Sequence, residues 1–115
     1  MKALKVFSVK HNDIRIKVRL LPTIRDVHRE HQRGYLRAVG KTICAFFAPS
    51  RRSDAKHVGI IVLPLDKRLP EFIPHEVTHA VLHQMGSVLS THDEAFATAV
   101  GVLSMLITKK IGAAA

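Results

Sequence analysis

Ile14, Ile16, Val18 and Leu20 alternate with Arg15, Lys17 and Arg19. Successive side chains point to opposite faces along a strand but not along a helix. This segment can therefore bury its apolar set only as a strand with a wet, cationic outer face. Such a strand needs neighbours, and the chain supplies them. Leu4–Val9 reads as a short strand before it, and Val58–Leu63 is a β-branched run closed by Pro64. Tyr35–Val39 and Thr42–Ala48 read as two further strands around a tight turn at Gly40-Lys41.

Helices fill the remaining segments. Pro22 breaks the alternating strand, Thr23 with Asp26 resembles a helix N-cap, and Gly34 is a stop signal. Between them Arg25, Arg29 and Arg33 recur every fourth residue and form one stripe, with Ile24, Val27 and His31 on the other side. A proline deep inside a helix loses a hydrogen bond, so Pro74 is expected in the first turn of a helix from about Pro74 to Met85, ending at Gly86. After the short connection Ser87–Ser90, a last helix is expected from about His92 to Lys109. The order ββαβββ followed by two helices makes an α+β domain, with a small twisted sheet backed by helices.

At 115 residues the chain is expected to be one domain, 1–115, large enough to fold without disulfides. Its one cysteine, Cys44, lies in an apolar run and reads as a small buried hydrophobe. A lone cysteine and an N-terminus unlike a signal peptide lead us to expect a cytoplasmic location. The uncharged stretch Ala95–Thr108 has 14 residues, too few to span a bilayer, so no membrane association is expected.

Charge divides the domain. Residues 1–56 hold 14 Lys and Arg against 4 Asp and Glu, whereas residues 57–115 hold 4 against 5. The basic, strand-rich half calls for an anionic partner, a nucleic acid or an acidic protein. Its candidate surface comprises Arg15, Lys17 and Arg19 on the strand, Arg25, Arg29 and Arg33 on the helix, and Arg51 and Arg52 in a loop. Small size and basicity also suit a non-catalytic assembly protein of a phage, associated with its virion. Aromatic content is only 5%, so no base-stacking platform is evident.

The other half carries His75-Glu76-Val77-Thr78-His79. On a helix the two histidines share one face, about 6 Å apart along the axis. Imidazoles so placed can reach one zinc ion at about 2.0–2.1 Å. In HExxH the glutamate is the general base for the water that the metal activates, which gives Glu76 a catalytic role. A catalytic zinc needs a third protein ligand. His83 lies about 12 Å from His75 along the axis, too far to serve. Leu82 and Met85 exclude the metzincin pattern. Glu94, at the start of the last helix, is the leading candidate, with His92 and Asp93 as alternatives. Thr91 to Glu94 also fits a capping box, which would make Glu94 a helix cap instead.

HExxH followed by a glutamate on the next helix resembles the gluzincin class of metallopeptidases. Glu94-Ala95-Phe96-Ala97-Thr98 is similar to the compact ImmA/IrrE-like members, the minigluzincins. The resemblance covers about residues 58–108. It implies a minimal zincin-like fold, with the sheet packed against an active-site helix and a C-terminal helix. It also implies Zn2+ held by His75, His79 and Glu94, and hydrolysis of a peptide or protein substrate with Glu76 as base. An edge strand, for which Val58–Leu63 is the candidate, would align the substrate. No residue matches the oxyanion-stabilising histidine or tyrosine of that class; Tyr35, His57 and His92 are candidates by type.

Overall fold

A computed structural model describes residues 3–34, 41–51, 56–86 and 94–112. It is an α+β fold: β1 (Lys5–His11), β2 (Ile14–Leu21), α1 (Ile24–Gly34), β3 (Phe46–Pro49), β4 (Gly59–Pro64), α2 (Leu69–Met85) and α3 (Glu94–Gly112). The strands form one mixed sheet in the order β1-β2-β4-β3. β1 and β2 are an antiparallel hairpin, β2 and β4 are parallel, and β3 runs antiparallel to β4.

The alternation in β2 has the expected effect. Ile14, Ile16, Val18 and Leu20 are buried, while Lys17 is exposed and Arg15 and Arg19 are half-buried. The buried set joins Ile61 and Leu63 of β4 under α2 and α3, which contribute Ile73, Val77, Leu103 and Ile107. On the other face α1 covers a smaller cluster of Leu21, Val27, Phe46, Ala48 and Val62. The cap on α1 is present: the Asp26 N–H donates to Thr23 Oγ1 at 3.1 Å. Thr23→Ala is expected to cost about 1 kcal/mol, read as a melting temperature lower by roughly 5 °C.

Three expectations are corrected. The helix α2 begins at Leu69, one turn before the expected start, so Pro70 occupies the first turn and Pro74 lies inside. Burying Leu69, Phe72 and Ile73 offsets the hydrogen bond that Pro74 withholds from the Pro70 carbonyl, and Pro70 is exposed to water. The strand expected at Thr42–Ala48 is only Phe46–Pro49. The Ile43 N–H is instead taken by His28 Nδ1 at 3.0 Å, which ties this segment to α1 rather than to the sheet. The run at Val58–Leu63 is an interior strand, since β4 is paired on both sides; among the described strands the edges are β1 and β3. Tyr35–Val39 and Gly40 lie outside the described residues, as does the expected start of the last helix at His92.

Cys44 is half-buried at the margin of the main core. Among the described residues one helix, α3, is long and apolar enough to cross a membrane. Here its buried residues Phe96, Ala99, Leu103, Ile107 and Ile111 form one stripe. The helix packs against α2 and β1.

Candidate metal centre

α2 sets the geometry of the histidine pair. Phe72, Ile73, Val77, Ala80 and Val81 anchor one side of the helix in the core. His75 and His79 fall just outside that stripe and are exposed, whereas Glu76 is buried. The two rings meet edge to face, with centroids 4.9 Å apart, and their Nε2 atoms are 3.3 Å apart. Two nitrogens bound at about 2.0–2.1 Å to one tetrahedral zinc are separated by about 3.3–3.4 Å. The pair therefore already has the span of two ligands sharing one ion.

Glu76 lies behind the pair, its Oε2 3.9 Å from His75 Nε2. Burial pushes its carboxyl above the usual range. His75, His79 and a hydrogen bond from the Phe47 backbone pull it back, but the net shift is upward. Phe47 belongs to β3, so the edge strand holds the carboxylate in place. The same strand walls a cleft of about 610 Å³ shared by His75, Glu76 and His79.

Two further histidines line this cleft. His83 stands against Phe47 with ring centroids 5.9 Å apart. His31, from α1, meets Phe46 edge to face at 5.0 Å. Burial, then the charge of His28, lowers the His31 pKa. His31 was not among the sequence candidates. Its position on the apolar side of α1, with Ile24 and Val27, was the available signal.

The other candidates fall elsewhere. Glu94 lines a separate cleft with His11, Asp13, Gln84 and Met85. Among the described residues no group of three His, Cys, Asp or Glu side chains is arranged to hold a metal ion. His57 accepts or donates a hydrogen bond with Ser8 Oγ at 2.9 Å and lines a cleft with Lys17, apart from the histidine pair. Tyr35, His92, Asp93 and Arg52 lie outside the described residues. Of the basic candidates, Arg25, Arg29, Arg33 and Arg51 are exposed. Arg19 is engaged by Glu30 at 2.8 Å. Comparison with protein-family models, curated proteins and solved structures finds no match to this chain.

Proposed function

We propose that His75 and His79 hold a zinc ion and that the cleft hydrolyses peptide bonds, in a cytoplasmic enzyme. The 3.3 Å separation of the two Nε2 atoms is the observation that carries the reading. Bound there, the ion supplies a Lewis acid that brings the pKa of water from 15.7 to about 7.

The chain's own residues supply the rest. Glu76 takes a proton from the attacking water and returns it to the leaving amine. Its burial beneath the histidines keeps bulk water from competing for that carboxylate. β3 offers a strand edge with no partner strand among the described residues, so an extended peptide can add to it beside the cleft. Phe47, half-buried beside the cleft, gives that peptide an apolar contact.

The third ligand comes from Glu94, His92 or Asp93. The wild-type protein is expected to carry one zinc per chain by elemental analysis, and His75→Ala or His79→Ala none. Of Glu94→Ala, His92→Ala and Asp93→Ala, the one that loses zinc identifies the third ligand. A metal-free wild type purified in zinc would end the proposal.

A further inference from the structure

Among the described residues the sheet face that carries α1 is only partly covered. α1 lies over β4 and the end of β2, against Leu21 and Val62. Beside it, Lys10 and Ser8 of β1 and Lys17 of β2 are exposed. Across the β1–β2 ladder Lys10 stands directly opposite Arg15, and Ser8 opposite Lys17. Opposed residues of an antiparallel pair project from the same face about 4.5–5.5 Å apart, and like charges so placed destabilise the sheet. The hairpin thus keeps an unfavourable pair that a neutral residue would remove.

Further cations meet at the same place. A cleft of about 460 Å³ opens between this face and the end of α1 at Gly34. Lys17, Arg51, His57 and Ser50 form its polar lining, with Ala48, Gly59 and Ile60 as its apolar floor. His57 has its pKa lowered by burial and then by the charges of Arg15, Lys17 and Lys56, so their fields converge on the cleft. No described carboxylate pairs with Lys10, Arg15, Lys17, Arg51 or Lys56; the ion pairs among described residues are Arg19–Glu30, Arg68–Glu71 and His75–Glu76.

We propose that this open half of the sheet face binds the phosphate backbone of a nucleic-acid strand, with Arg15, Lys17 and Arg51 as its principal contacts. Arg33, exposed and next to Gly34, stands at the end of α1 that borders the cleft, with Arg25 and Arg29 further back on the side of the helix away from the sheet. Among the described residues the cleft offers cations and no carboxylate, which suits a polyanion. Cations two apart on a strand are separated by about 6.6 Å, and those four apart on a helix by about 6 Å. Either is about two axial rises of one strand of a duplex, 3.4 Å per phosphate along the helix axis. Among the described residues the cleft's one aromatic ring is that of His57, and the cations that line it suit contact to phosphates. The site is separate from the histidine cleft and does not depend on a metal there.

The test is fluorescence anisotropy of a labelled 20-nucleotide oligothymidylate with the full chain. With about five phosphate contacts, affinity should fall about 100-fold between 50 and 200 mM salt. Arg15→Thr with Lys17→Thr should weaken binding at least about tenfold at 50 mM and flatten the logarithmic salt slope by about 1.4. Its melting temperature should not fall, because the Lys10–Arg15 opposition is relieved. Arg51→Ser, in an exposed segment, should show a smaller loss by the same assay. Lys109→Thr with Lys110→Thr makes the same charge change on α3 and should bind as the wild type does. An equal loss in both double variants would reduce the interaction to diffuse net charge and overturn the proposal. So would no binding at 50 mM, or tighter binding to polyglutamate than to the oligonucleotide.

Discussion

Glu76→Gln protein is expected to hold as much zinc as the wild type and to hydrolyse peptides at least about 100-fold more slowly. The substitution keeps the shape of the side chain and removes only its capacity to take a proton. The amide oxygen can still accept the Phe47 hydrogen bond that positions the carboxylate. The histidine Nε2 atoms, 3.3 Å apart, are untouched. Stability gives an independent reading. A carboxyl whose pKa is raised on folding contributes stability below its unfolded value, and loses it as pH rises through the folded value. Above that folded value the ionised Glu76 is a burden on the fold, and there metal-free Glu76→Gln should melt at the same temperature as metal-free wild type or higher. Full hydrolysis by the variant would remove Glu76 from the chemistry. Loss of zinc would make it a ligand instead of a base.

Gly59→Ala is expected to destabilise the protein by roughly 3 kcal/mol, lowering its melting temperature by on the order of 10–20 °C. The requirement at Gly59 is spatial, since its φ is not positive. A Cβ there would fall on the Ala48 carbonyl oxygen and lie 2.8 Å from the Pro49 Cα. Both are backbone atoms of β3, which cannot rotate away as a side chain would. Among the described strands β3 is joined to the sheet through β4 alone, so the added methyl should part the strand that walls the histidine cleft. Zinc affinity should fall with stability, although Gly59 lines a different cleft. A wild-type melting temperature for Gly59→Ala would show that β3 does not pack on β4 in this register.

Much of the architecture can be read from the chain because local and tertiary preferences agree. The period of two in Ile14–Leu20 and the Thr23 cap lead directly to β2 and α1. Gly86 closes α2, its N–H bonded to the Leu82 carbonyl at 2.9 Å. Where the two diverge, tertiary packing wins. Pro70 and Pro74 are both compatible with a first turn, and only the burial of Leu69 and Phe72 decides between them. The apolar run at Thr42–Ala48 does not reveal that His28 captures the Ile43 amide. For the proposed metal site, the helical histidine pair and Glu76 are legible from spacing, but a third ligand would depend on the rotation of α3. Glu94 and Leu103 are nine residues apart, two and a half turns, which puts them on opposite sides of that helix. With Leu103 wholly buried, Glu94 faces away from the core.

The parallel pairing of β2 with β4 sets the order in which the molecule can assemble. Lys5–Leu21 closes on itself as a hairpin, and its contacts are local. Ile16 must wait for Gly59, and Leu20 for Leu63. Closing so long a loop is slow compared with forming a hairpin or a helix. During synthesis the hairpin therefore emerges with one strand edge open and Ile16, Val18 and Leu20 still wet. Lys10, Arg15 and Lys17 act at this stage as well: hairpins of neighbouring chains, each bearing the same positive face, repel one another before their edges can meet.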